Sequence, residues 1–193
     1  MRERKENYHL LSRIDKSWTL FLDRDGVINE RIVGDYVRNI SQFKFIPGTI
    51  EALKILRKIF GRIIIVTNQR GIARGLMTEE DLISIHDYML NELRQNDITI
   101  DGVYYCPHDV TDNCSCRKPK PGMAYKAKKD FPEIDYKKSI VVGDSESDIA
   151  FATNINAVPF LIESEHKSKI NDVMVFNNLL EFARFIKSVC SCK

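Results

Sequence analysis

The stretch Trp18-Thr19-Leu20-Phe21-Leu22-Asp23-Arg24-Asp25-Gly26 constrains this chain most. Its mostly apolar, β-favouring opening reads as a strand buried on both faces, as in a parallel sheet. The strand runs into two carboxylates one residue apart, and the carboxyl end of such strands is where open α/β sheets bind ligands. Gly26 permits the sharp turn that lifts both carboxylates out of the sheet. An Asp-rich turn after a strand is the plain alternative, and the remainder of the chain decides against it.

The strand-then-polar pattern recurs. Ile63 to Val66 is a β-branched run ending at Thr67-Asn68-Gln69, Gly102 to Tyr105 leads into a cysteine and histidine loop, and Ile140 to Val142 ends in Gly143-Asp144. Residues 157–162 and 173–176 read as further strands. Between them, helical spacing predicts a helix over 49–59 with Ile50, Leu53, Leu56 and Ile59 on one face. Thr78-Glu79-Glu80-Asp81 caps a long helix carrying Leu82, Ile85, Met89 and Leu93, and further helices are expected over 122–130, 148–153 and 179–189. Strands alternating with helices give an α/β class and a doubly wound parallel sheet of Rossmann-like type with right-handed crossovers. At 193 residues, one domain over 18–190 is expected, after a mostly charged extension over 1–17 with Leu10, Leu11 and Ile14 to pack. Neither gap between the polar strand ends has room for a large inserted domain, so the site should be open, rimmed by residues 29–39 and the cysteine loop.

A formal charge of +2 gives no reason to expect a nucleic-acid partner, and no run reaches the roughly 20 apolar residues of a membrane span. The start Met-Arg-Glu-Arg-Lys-Glu-Asn lacks a signal-peptide core, so a cytoplasmic protein is expected, and the absence of an obvious apolar surface helix makes a monomer the expectation. Of the five cysteines, Cys106, Cys114 and Cys116 fall within eleven residues beside His108. Cys-x-His followed by Cys-x-Cys offers four nitrogen and sulfur ligands with no open position, which reads as a closed, structural zinc site. Cys190 and Cys192 read as an incidental tail feature, and His9, His86 and His166, without partners at ligand spacing, as surface or core.

In this fold the strand ends converge, so Asp23, Asp25, Thr67, Asp144 and Asp148 can meet, with Lys118 arriving from a loop before a helix. Carboxylates so close would repel unless a cation joined them, and all-oxygen ligation favours magnesium. Lys118 and the Thr67 hydroxyl suit a phosphoryl group. One aspartate can then act as nucleophile, and the second, two residues on, can protonate the leaving oxygen. These are the parts of an aspartyl-phosphate phosphatase.

Asp23-Arg24-Asp25-Gly26, Thr67-Asn68-Gln69, Lys118 and Gly143-Asp144 followed by Asp148 resemble the four motifs of the haloacid dehalogenase superfamily, spread over about 125 residues. The resemblance implies a phospho-aspartate on Asp23, with Asp25 as general acid and then base, and Thr67 and Lys118 binding the phosphoryl group. It places magnesium on Asp23, the Asp25 carbonyl and Asp144, with Asp148 in support. A narrower resemblance is to the histidinol-phosphate and heptose-bisphosphate phosphatase branch. It rests on Phe21 to Asn29, Asn68-Gln69-Arg70-Gly71-Ile72-Ala73-Arg74-Gly75, and Tyr105-Cys106-Pro107-His108 with Cys114-Ser115-Cys116-Arg117-Lys118-Pro119. Ile72-Ala73-Arg74-Gly75 and Pro121-Gly122-Met123 are similar to the heptose enzymes, whereas the short loop between His108 and Cys114 is similar to the histidinol-phosphate enzymes.

The expectation is a small sugar phosphate as substrate, losing the C7 phosphate of a heptose 1,7-bisphosphate in nucleotide-activated heptose supply. Histidinol phosphate is the alternative, and a non-catalytic zinc-stapled binding module the remote one. Asn68, Gln69, Arg70, Arg74 and Arg117 are the expected substrate contacts. The resemblance implies a basic residue after the fourth-motif aspartate, and here that residue is Ser145, which leaves Arg117, Arg70 and Arg74 for the second phosphate.

Overall fold

A computed structural model describes residues 11–163 and 173–191. Six strands, β1 (Thr19–Leu22), β2 (Arg62–Asn68), β3 (Gly102–Cys106), β4 (Ser139–Gly143), β5 (Val158–Ile162) and β6 (Met174–Phe176), form one sheet in the order β3-β2-β1-β4-β5-β6. Every pairing is parallel. Among the described residues, five α-helices connect and close it: α1 (Thr49–Ile59), α2 (Glu79–Gln95), α3 (Gly122–Asp130), α4 (Glu146–Asn154) and α5 (Leu179–Cys190). This is the doubly wound sheet that the sequence implied.

Alternation along β1 splits the core in two. Leu20 and Leu22 face a layer with Leu53, Leu56, Leu82, Met89 and Phe182 from α1, α2 and α5. Phe21 points the other way, onto Met123, Ala124 and Phe151 from α3 and α4. Each large apolar side chain buried this way contributes about 1.5–3 kcal/mol relative to exposure. The buried face of α1 is Thr49, Ala52, Leu53 and Leu56. Ile50 and Ile59, expected on the same face as Leu53 and Leu56, are partly buried and pack against the same core. The Thr78–Asp81 capping box starts α2 as read, the Thr78 hydroxyl accepting from Asp81 N at 3.1 Å and Asp81 Oδ2 from Thr78 N at 2.9 Å.

The described part of the amino-terminal extension is packed onto this domain. Leu11 and Ile14 are 1% and 2% exposed in the main core, and Lys16 Nζ donates to the carbonyls of Arg57 (2.7 Å) and Phe60 (3.1 Å) at the end of α1. Among the described residues no helix is long and apolar enough to cross a membrane. His9, His166 and Cys192 lie outside them.

Strand β1 sits between β2 and β4, where the strand order reverses, and Leu22 is level with Ile65 and Val142. The chain therefore leaves β1, β2 and β4 at one height and on one edge, the crevice where such sheets bind ligands.

Candidate active site

Asp23 leaves β1 with its amide donating to Val142 O at 2.9 Å, which fixes its side chain against the end of β4. Gly26 makes the turn that follows at φ +89°, and a Cβ there would lie 2.2 Å from Asp144 Oδ2. The turn therefore needs glycine for both conformation and space. Gly26→Ala is expected to lower stability by ~1–3 kcal/mol and phosphatase turnover by roughly 100-fold, since Asp144 must move. Urea unfolding and phosphate release check the two effects separately.

Thr67 and Lys118 line one cavity with Asp23. Lys118 is 3% exposed, and its ammonium lies 2.8 Å from Asp23 Oδ1, 2.5 Å from Asp148 Oδ1 and 2.8 Å from Val66 O. Burial works against its charge, but Asp148 and Asp23 outweigh it and raise the Lys118 pKa. Asp148 stands in the first turn of α4, where its other oxygen accepts from Ser145 N at 3.1 Å, so it orients Lys118 from a helix start. The Thr67 hydroxyl oxygen accepts from Gln69 Nε2 at 2.9 Å, and its proton remains available to a phosphoryl oxygen.

Oxygens of Asp23, Asp144 and Asp148 converge within 4.8 Å of one another. Burial, against the pull of Lys118 and with Asp148 and Asp144 adding to the push, raises Asp23 to about 7. Burial likewise raises Asp144 to about 6, although Arg31 donates to its Oδ2 at 2.7 Å. Asp144 Oδ1 is buried and accepts no hydrogen bond. A buried cluster of hard oxygens with one acceptor orphaned suits magnesium.

Asp25 lies in an opposite environment. Burial pushes it up, but the Arg24 guanidinium and hydrogen bonds from Asn29 and Gln69 prevail and hold it below the usual carboxylate range. Neighbouring carboxylates with divergent affinities for protons suit divergent roles.

The expected substrate contacts separate into distinct groups. Arg117 lines the cavity of about 190 Å³ that holds Asp23, and among the described residues it forms no ion pair, donating only to His108 O at 3.4 Å. Arg70 lines the same cavity while clasped by Asp109 at 2.6 and 2.7 Å. Arg74 instead lines an adjoining cavity of about 630 Å³ and lies 3.9 Å from Asp109. Asn68 reaches the first cavity, but its amide is committed to the backbone of Lys118, donating to its carbonyl at 3.2 Å and accepting from its N–H at 3.0 Å. Gln69 corrects the expectation: it is fully buried and turned inward, spending its amide on Asp25 Oδ2 and Thr67 Oγ1, so it braces the site and is closed to substrate.

Residues Arg31, Ile32, Asp35 and Tyr36 close the first cavity on one side, and the cysteine loop delivers Arg117 and Lys118 on the other. In that loop Cys106 Sγ lies 3.5 and 3.1 Å from the sulfurs of Cys114 and Cys116, which are 3.5 Å apart, and His108 Nδ1 lies 3.6 and 3.2 Å from Cys106 and Cys116. These separations exceed an S–S bond of about 2.05 Å and approach the edges, about 3.5–3.8 Å, of a tetrahedron around zinc.

Sequence reasoning assigned no role here to Arg31, Arg24 or His86. Arg31, on Asp144, sits in a loop with no periodic signal. Arg24 is buried against Asp25, and His86 is buried behind Arg24. His86 did carry a signal: it falls four residues after Leu82 and three before Met89, on the buried stripe of α2.

Comparison with known proteins agrees with this geometry. The family described as polynucleotide kinase 3 phosphatase matches residues 20–167. The D-glycero-alpha-D-manno-heptose-1,7-bisphosphate 7-phosphatase of Mycobacterium bovis is 46% identical over 145 residues, 75% of this chain and 76% of the relative. That of Campylobacter jejuni is 42% identical over 172 residues, covering 89% and 97%. A D-glycero-beta-D-manno-heptose-1,7-bisphosphate 7-phosphatase of Haemophilus influenzae is 43% identical, covering 67% and 72%. The crystal structure of D,D-heptose 1,7-bisphosphate phosphatase from B. bronchiseptica, complexed with magnesium and phosphate, superposes with a TM-score of 0.81 at 29% identity, over 89% of this chain and 98% of that one. With these motifs on these strand ends and relatives matched over most of its length, the chain belongs to the haloacid dehalogenase superfamily, in the phosphatase family that includes the heptose-bisphosphate 7-phosphatases.

Proposed function

We propose that this protein is a magnesium-dependent phosphomonoesterase that removes the C7 phosphate of D-glycero-D-manno-heptose 1,7-bisphosphate. The observation that carries the substrate is 42% identity to a heptose-bisphosphate 7-phosphatase along 97% of that relative's length. The rim supports it. Arg117 offers an uncommitted cation beside the nucleophile's cavity, whereas the acids nearby, Asp35 and Asp109, are held by Arg38 and Arg70. A second phosphate finds a partner there more readily than the ammonium of histidinol phosphate does.

Asp23 attacks phosphorus, the bond to the C7 oxygen breaks, and Asp25 gives that oxygen a proton. Asp25 starts ionised, and the negative charge of the arriving phosphate monoester draws a proton onto it from solvent. Water then attacks the phospho-aspartate, Asp25 takes back a proton, and the bond to Asp23 breaks to release inorganic phosphate. Throughout, Lys118 and the Thr67 hydroxyl hold the phosphoryl oxygens. Magnesium, on Asp23, the Asp25 carbonyl and Asp144, would supply charge neutralisation for the approaching dianion. Zinc on Cys106, His108, Cys114 and Cys116 would fix the loop that delivers Arg117 and Lys118.

Phosphate release from the α and β anomers of the heptose bisphosphate, from histidinol phosphate and from a 3′-phosphorylated oligonucleotide, with and without magnesium, tests this reading. The heptose substrates should dominate and require magnesium. Faster turnover of histidinol phosphate keeps the chemistry and overturns the substrate, and release from the oligonucleotide alone moves it to nucleic acid.

Zinc removal has its own expected result. Phenanthroline in excess magnesium should release one equivalent of zinc and lower turnover about 10-fold or more, with the folded sheet retained. Unchanged activity after complete zinc loss would separate the loop from catalysis.

A further inference from the structure

Arg24 stands between the two aspartates of the nucleophile turn, yet it is 0% exposed. Its guanidinium is spread over Asp25: Nη2 donates to Oδ1 and Oδ2 at 2.9 Å each, and Nε lies 3.3 Å from Oδ1. The remaining terminal nitrogen, Nη1, is 3.1 Å from His86 Nε2. Arginine only donates, so Nε2 must accept, which fixes the imidazole as neutral with its proton on Nδ1. His86 is 6% exposed on the inward face of α2, its ring 5.9 Å from that of Tyr105 on β3. A line of contacts thus runs from α2, pinned by its capping box, through His86 and Arg24 to Asp25.

We infer that His86 is a positioning residue for the proton transfers of the phosphatase reaction: by accepting from Arg24 it holds the guanidinium flat on Asp25 and so aims that carboxyl at the leaving oxygen. Without an acceptor, a buried charged donor is left unsatisfied, and Arg24 turns to find another partner. Asp25 then keeps only Asn29 Nδ2 (2.8 Å) and Gln69 Nε2 (2.9 Å), one on each oxygen, and is free to rotate. The nucleophile is untouched, because Asp23 is held by Lys118 on the other side of the turn.

The inference rests on the phosphatase reading, and leaving-group dependence tests it apart from that reading. An alkyl phosphate needs its leaving oxygen protonated, whereas p-nitrophenyl phosphate leaves as a stable phenolate. Wild type, His86→Gln, His86→Met and His86→Leu are compared on both kinds of ester. Methionine and leucine should lower kcat/KM for the heptose bisphosphate roughly 10- to 100-fold with KM within about threefold. On p-nitrophenyl phosphate they should lower it less than about threefold. Glutamine, whose Oε1 can accept where Nε2 did, should recover most of the loss. Equal losses on both esters, glutamine as poor as methionine, or methionine matching wild type each overturn the inference. If wild type spares the heptose, the comparison runs on histidinol phosphate, also an alkyl ester; a wild type inactive on every alkyl phosphate overturns both readings.

Discussion

Asp23→Asn is expected to abolish phosphate release, by roughly 10⁴-fold or more, and to leave the magnesium-free protein as stable as wild type or more so. The carboxamide keeps the shape of the side chain and loses the nucleophile. It also removes one of the three carboxylates that crowd within 4.8 Å, two of which burial has raised to about 7 and about 6. The sign follows from proton linkage. A carboxyl raised above its unfolded value binds protons more tightly when folded, so it stabilises the fold below pH ~4 and that advantage is lost as pH rises towards 7. In magnesium-free buffer the stability difference, Asn variant minus wild type, should therefore grow between pH 5 and 8, reaching the order of 1–3 kcal/mol. Urea unfolding at several pH values measures it. A variant less stable than wild type at pH 8 would mean that Lys118 compensates the buried charge in full.

The same crowding explains how far the site can be read from sequence. Asp23, Thr67 and Asp144 were legible because a strand end is a fixed address: once β1, β2 and β4 are recognised as parallel neighbours, the residues at their ends must meet. Helix α1 was legible to its bounds because Pro47-Gly48 and Gly61 punctuate it. Side-chain direction was not. Gln69 follows Thr67 and Asn68 off β2 and read as a substrate contact, but a buried amide goes where donors are needed, and Asp25 and Thr67 needed it. Arg31 meets Asp144 across 113 positions from an irregular loop, which no local periodicity encodes. Arg24 and His86 lay inside patterns already read, one between two aspartates and one in an apolar stripe, and only their mutual distance reveals the pair.

Lys118→Met should damage both fold and chemistry, where Asp23→Asn damages only chemistry. The ammonium is the cation shared by Asp23 and Asp148, at 2.8 and 2.5 Å, with all three groups buried. Methionine fills the slot and strands two carboxylates, a loss of the kind that costs about 3–5 kcal/mol. Turnover should fall roughly 10²–10³-fold or more, as expected when a preorganised charge facing the reacting phosphoryl group is removed. Saturating magnesium should return part of the stability, because it binds the folded carboxylates and not the unfolded chain, while the rate stays low. The double variant Asp23→Asn/Lys118→Met provides the decisive comparison. If the lysine stabilises by neutralising Asp23, the double variant regains stability over Lys118→Met alone, and the two changes are strongly non-additive. If the effects simply add, the cost arises from Asp148, and the capping contact it makes at Ser145 should loosen as Lys118 is lost. Hydrogen exchange at the Ser145 amide reads that loosening, and so distinguishes a lysine held for the nucleophile from one held for the helix that carries the fourth motif.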